Sequence, residues 1–189
     1  MTIDTTEHSS ACACCGDMLR QRFDRRRFLH LSAGAMAFAA APQLAFAASG
    51  NYEAMLLSCI DPRFPAPVMN YMKHRHLVGK YSQFNIAGAS IGVVAPAFKT
   101  WAPAFWDNLG ASIQLHNIKK VIVINHRDCG AAKIAYGADA VKDKAAETET
   151  HKNALMEFKK QLAETQPALK SELGLMALDG KLESFNLVG

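Results

Sequence analysis

The run Val121-Ile122-Val123-Ile124-Asn125 narrows the available folds more than any other feature of this chain. Four β-branched residues in succession offer no polar face, so a strand made from them must be covered on both sides. Such strands belong to parallel sheets, whose crossovers lay helices over both faces. Residues 54–59 form a second, nearly continuous apolar run that Pro62 ends, and residues 81–86 a weaker third. Between these runs the periodicity changes. Residues 64–75 carry Val68, Met69, Tyr71 and Met72 at helical spacing behind Pro65 and Pro67. Gly88 and Gly92 mark a loop. Residues 99–116 place Trp101, Phe105, Leu109, Ser112 and Ile113 close to one face, with Pro103 in the first turn. Residues 150–173 read as a long helix capped by Thr150, with Leu155, Phe158 and Leu162 on one face and a bend near Pro167. The tail reads as a hairpin, residues 175–178 and 182–187 around Asp179-Gly180. This alternation predicts an α/β fold with a mostly parallel sheet flanked by helices.

The first 47 residues follow a different logic. They hold five arginines, four acids and no lysine, and three of the five cysteines, Cys12, Cys14 and Cys15. Arg25-Arg26-Arg27-Phe28-Leu29 precedes 20 residues without a charge (31–50), rich in Ala and Gly and ending in Ala45-Phe46-Ala47, a small-x-small pattern. Paired arginines before a weakly apolar stretch resemble a twin-arginine export signal. The expected organisation is a cleavable signal at 1–47, read by the twin-arginine translocase, and one α/β domain at 48–189 in the periplasm or otherwise outside the cytoplasm. An uncleaved anchor, which the Ala/Gly content and Pro42 disfavour, and a buried amphipathic helix, which no repeating polar face supports, are the competing readings. The net charge of +4 includes no strong basic stripe, so nucleic acid is not an expected partner.

The chemistry lies where two strands end. Cys59-Ile60-Asp61-Pro62-Arg63 follows the first and His126-Arg127-Asp128-Cys129-Gly130 the strongest. In extended chain, residues two apart project to one side, so Cys59, Asp61 and Arg63 can point together. Pro62 favours extended geometry at Asp61. If the two strands are parallel neighbours, both clusters emerge at the carboxyl edge of the sheet, where open α/β sheets place their ligands. Two thiolates, an imidazole and a carboxylate then converge. That is a tetrahedral zinc set, with Asp61 or water in the fourth place. Three other readings stay open: a Cys59–Cys129 disulfide, two inert buried thiols, and a cysteine nucleophile with His126 as its base.

These residues resemble the β-class carbonic anhydrase family, whose hallmark is C-x-D-x-R followed by H-x-x-C-G. The resemblance extends through Asn85-Ile86-Ala87-Gly88 and residues 115–123, roughly residues 54–137 in all, and more loosely to Asp179-Gly180. It implies a parallel α/β sheet, a homodimer or higher homo-oligomer, and reversible hydration of carbon dioxide to bicarbonate by a zinc-bound hydroxide. It further implies one zinc per chain on Cys59, His126 and Cys129, with Asp61 and Arg63 as a catalytic dyad. In some members this Asp takes the fourth zinc position at rest and swings to the Arg in the active state. Hydrolases of carbonyl sulfide or carbon disulfide look similar, and a non-catalytic zinc protein closed by Asp61 is a further alternative. Departures exist. Pro62 stands where the family often has Ser. Cys59 and His126 lie 67 positions apart, a long interval, with the surplus expected around residues 91–104. About 11 residues separate the expected cleavage point from Cys59, too few for the helical arm many members wrap around a partner.

Other polar residues read as structural. Residues 73–76 (Lys-His-Arg-His) suit a solvated helix end, and His116 a helix C-terminus. His151 reads as exposed at a helix start. Trp101, Phe105 and Trp106 read as core or dimer contacts. Arg127 and Asp128 flank the ligands and suit either supporting or solvated roles.

Overall fold

The computed structural model describes residues 50–185. The segment read as an export signal, with Cys12, Cys14, Cys15 and the arginine run, lies outside the described residues, as does the end of the predicted tail strand.

Five strands form one sheet: β1 (Ala54–Ser58), β2 (Tyr81–Asn85), β3 (Lys120–His126), β4 (Lys170–Met176) and β5 (Leu182–Ser184). The order is β2-β1-β3-β4-β5. The first four are parallel, and β5 returns antiparallel on β4. The predicted fold class is therefore observed. Helices α1 (Pro65–His74), α2 (Ser90–Val94), α3 (Ala102–His116), α4 (Gly130–Tyr136) and α5 (Lys144–Thr165) make the crossovers.

The apolar strands are covered on both faces, as their composition requires. Leu56, Ile122 and Ile124 pack with Phe64, Val68 and Met72 on one side. Met55, Leu57, Val121 and Val123 pack with Phe105, Leu109, Leu155 and Phe158 on the other. Burying side chains of this size contributes about 1.5–3 kcal/mol each. Phe105 lies in the core, stacking edge-on with Phe84, Trp106 and Phe158, whereas Trp101 is part-exposed on Phe98.

Local signals explain the helix limits. Pro65 opens α1 and Pro103 lies in the first turn of α3. Asn117 closes α3 in the left-handed conformation. α5 departs from expectation at both ends. Its cap is Asp143, whose Oδ1 accepts from the Ala145 and Ala146 amides. Thr150 lies two turns further in, and its hydroxyl donates to the Ala140 carbonyl. The helix stops at Thr165, ahead of Pro167, because a residue before proline resists helical geometry. Leu173, read as helical, belongs to β4. Gly92, read as loop, lies inside α2. There the Ala87 carbonyl comes so close that a Cβ would meet it at 2.5 Å.

β1 has β2 on one side and β3 on the other, so the connection direction reverses there. Ser58 aligns with Ile124. Cys59 and His126 thus leave adjacent parallel strands at the switch point of the sheet. Among the described residues, no helix is long and apolar enough to cross a membrane.

Candidate metal centre

Three donors meet at that point. One ligand atom each from Cys59, His126 and Cys129 lies within 4.8 Å of the others, and all three residues are buried. A tetrahedral zinc holds such donors about 3.6 Å apart, so a small contraction accommodates it. His126 Nδ1 lies 2.8 Å from the Arg127 carbonyl, an acceptor only, so Nδ1 carries the hydrogen. That leaves an Nε2 lone pair, fully buried and, among the described residues, without a partner. A buried polar atom without a partner is costly, and a metal ion satisfies this one. Both cysteines are free thiols, so neither sulfur is taken up in a disulfide.

The electrostatics favour a thiolate. The Cys59 thiol is held well below the usual thiol range, chiefly because the Cys129 thiol donates to its sulfur. Burial opposes this, while His126 and the Gly88 amide assist. That amide lies 3.1 Å from the Cys59 sulfur. Gly88 turns the chain at φ +80, where a Cβ would crowd Ile91 and Ala131 at 3.0 and 3.1 Å. Cys129 is pushed up by the hydrogen bond its thiol donates to the Cys59 sulfur, and by burial. For His126, burial alone would lower the pKa, but the Cys59 sulfur and the Arg127 carbonyl outweigh it and raise it. The ring lies 4.7 Å from that of Phe64, which is buried and shields it.

Asp61 and Arg63 stand beside this set. Both carboxylate oxygens of Asp61 bind the guanidinium, Oδ1 to Nε at 2.9 Å and Oδ2 to Nη2 at 2.7 Å. The Arg63 amide adds a third contact at 2.9 Å. These hydrogen bonds hold the Asp61 carboxyl well below the usual carboxylate range. Asp61 Oδ2 is 3.9 Å from His126 Nε2. All five residues singled out from the sequence therefore converge, with Asp61 engaged by Arg63.

A family model described as "Putative carbonic anhydrase" matches residues 49–167. An uncharacterised protein of Rickettsia bellii is 33% identical over 129 residues, 68% of this chain and 79% of that protein. One from Rickettsia conorii is 32% identical over 129 residues, 68% of this chain and 69% of that protein. The chain belongs to this carbonic anhydrase family. Solved structures share its fold. The β-carbonic anhydrase CcaA aligns with a TM-score of 0.55 at 11% identity, over 85% of this chain and 95% of that one. A tetrameric β-carbonic anhydrase from Sordaria macrospora aligns with a TM-score of 0.53 at 13% identity, over 87% and 98%.

Of the three donors, Cys129 lines a cleft of about 640 Å³, bounded also by Asp61, Arg63, Asp128, Lys133, Lys144 and Glu147. A second cleft of about 540 Å³, between Val94, Tyr136 and Glu157, contains none of the donors. Asp128 is not a merely solvated loop residue. Its carboxylate accepts from Arg63 Nη1 at 2.6 Å and its carbonyl from Nη2 at 3.0 Å. Arg127 is ion-paired to Glu147 and Glu183.

His151 departs furthest from expectation. It is wholly buried in the middle of α5. Asn125 Nδ2 donates to its Nδ1 at 3.1 Å, and Asn125 Oδ1 accepts from both the amide and the hydroxyl of Ser90. Its Nε2 has no partner among the described residues. Burial, with the charges of His126 and Arg127 behind it, lowers the His151 pKa to about 4. The imidazole is thus neutral, and it faces the core rather than solvent. The residues at 73–76 are as read: His74 pairs with the Asn70 carbonyl of its own helix, and Arg75 reaches Glu172. His116 packs its ring on Tyr52 at the end of α3.

Proposed function

We propose that this chain is a zinc-dependent carbonic anhydrase that interconverts carbon dioxide and bicarbonate. Cys59, His126 and Cys129 would hold one zinc, with both sulfurs as thiolates and His126 bound through Nε2. When bound, the zinc supplies the Lewis acidity that makes water a nucleophile near neutral pH. The observation that carries the reading is the clamp of Arg63 on Asp61, 3.9 Å from the unpartnered His126 Nε2. A carboxylate so engaged leaves the fourth place beside the donors to water, which disfavours permanent closure by Asp61.

The protein side chains divide the remaining work. Asp61 stays ionised and acceptor-only, so its Oδ2 takes a hydrogen bond from the attacking water and aims the water lone pair at carbon dioxide. Arg63 keeps Asp61 charged and fixed in direction. Phe64 keeps bulk water from the buried side of His126. Carbon dioxide and water give bicarbonate and one proton, and the proton leaves through the cleft. The test compares carbon dioxide hydration and zinc content for the parent and Asp61→Asn. Zinc retained with hydration lost supports the reading, and undiminished hydration refutes it.

The chain would work outside the cytoplasm, exported by the twin-arginine translocase through the signal expected at 1–47. Fractionation of cells with and without that translocase tests this. It would also be a homo-oligomer. Ile60, next to the ligand Cys59, and Ile134, in the helix that follows Cys129, are 60% and 74% exposed and would find cover against a second copy. Light scattering on the purified protein reads the assembly directly.

A further inference from the structure

Only two residues separate the ligands His126 and Cys129. One carboxylate holds both. Glu147 Oε2 accepts from Arg127 Nη1 at 3.0 Å, and Glu147 Oε1 accepts from the Asp128 amide at 2.5 Å. We infer that Glu147 is a positioning residue that fixes the loop between the metal ligands.

The two contacts reach different parts of the site. Arg127 supplies the carbonyl beside His126 Nδ1, and that bond decides which ring nitrogen is free for metal. The Arg127 backbone is tied through its amide to the Met176 carbonyl. Its guanidinium is tied to Glu147, Thr148 and Glu183. Asp128 has φ +57, a conformation that a non-glycine residue keeps only when its surroundings demand it. The Glu147 bond to its amide is such a demand. In that conformation Asp128 presents both its carboxylate and its carbonyl to Arg63, which in turn holds Asp61. A single side chain thus orients a ligand through one neighbour and the Asp61–Arg63 pair through the other.

The plain alternative is that Glu147 is an acid in the first turn of α5, stabilised by the helix dipole. That role needs neither contact. Glu147 is also mostly shielded, its side chain 12% exposed and turned onto Arg127 and the Asp128 amide.

This inference rests on the metal-site reading, and the experiment separates the two. Zinc affinity is measured by chelator competition, and melting temperature without metal, for the parent, Glu147→Ala, Glu147→Gln and Glu172→Ala. Glu172 pairs with Arg75 and Lys120 near the opposite ends of the strands, so its loss reports stability alone. Glu147→Ala is expected to weaken zinc binding about 10- to 100-fold. Glu147→Gln, which keeps an acceptor for the Asp128 amide, should weaken it less. Glu172→Ala should lower the melting temperature and leave zinc affinity unchanged. Parent-like affinity in Glu147→Ala, or an equal loss in Glu172→Ala, overturns the positioning role while the metal site stands. A parent that binds no zinc overturns both.

Discussion

Asp61 and Arg63 bind each other side by side, with two carboxylate oxygens on two nitrogens of one guanidinium, 2.9 and 2.7 Å apart. The geometry is that of a planar fork, which a lysine cannot reproduce. Arg63→Ala should therefore leave zinc bound and cut carbon dioxide hydration about 100-fold, the usual cost of one misplaced polar group at a reacting centre. Arg63→Lys should not restore it. Stopped-flow hydration beside metal analysis checks both statements.

Gly88 supports the Cys59 sulfur from a backbone position that favours glycine. Gly88→Ala adds a left-handed penalty of about 1–2 kcal/mol, and the new Cβ crowds Ile91 and Ala131. The variant should melt at a lower temperature and also bind zinc more weakly, because the amide is displaced from the thiolate. Thermal unfolding and chelator competition measure the two effects separately.

His151 makes stability depend on pH in a defined window. Its folded pKa, about 4, lies below the ordinary value of 6.5, so the unfolded chain binds the extra proton first as pH falls. Stability is complete above pH 6.5 and declines towards pH 4, by about 3 kcal/mol from this one group. Denaturant unfolding from pH 4 to 7 should show a shallower decline for His151→Gln than for the parent. Equal slopes would remove His151 as the cause.

The strand ends and the five residues that converge there are legible in the sequence because each part is local. The β-branched runs declare buried strands, and the i, i+2 spacing with Pro62 declares which side chains share a side. What is not legible depends on distant partners. The first turns of α5 precede the expected start at Thr150 because Glu147, Thr148 and Glu149 carry no apolar stripe, yet Asp143 caps them. His151 has a surface residue's composition, and its buried Nδ1 finds its partner in Asn125, 26 positions away. Glu147 is likewise ordinary until β3 brings Arg127 and Asp128 beside it. Residues 170–173, Lys-Ser-Glu-Leu, are mostly polar and suit the end of a helix as well as a strand, and pairing with β3 decides for strand.

Removing the metal should cost stability, since it leaves His126 Nε2 buried without a partner. A ligand at a thousandfold excess over its Kd stabilises by about 4 kcal/mol, which is roughly 10 °C in melting temperature for a chain of this size. Calorimetry before and after chelation, with zinc restored in a third scan, reads the difference. An unchanged melting temperature would mean that the donors hold no metal.

The central claim joins a zinc site to carbon dioxide hydration, so both are best measured on one sample. Zinc content and stopped-flow hydration, on the parent and on His126→Ala, form that test. The account predicts about one zinc per chain and rapid hydration in the parent, with both lost in the variant. A parent fully loaded with zinc that fails to hydrate carbon dioxide at any pH from neutral to alkaline would contradict it.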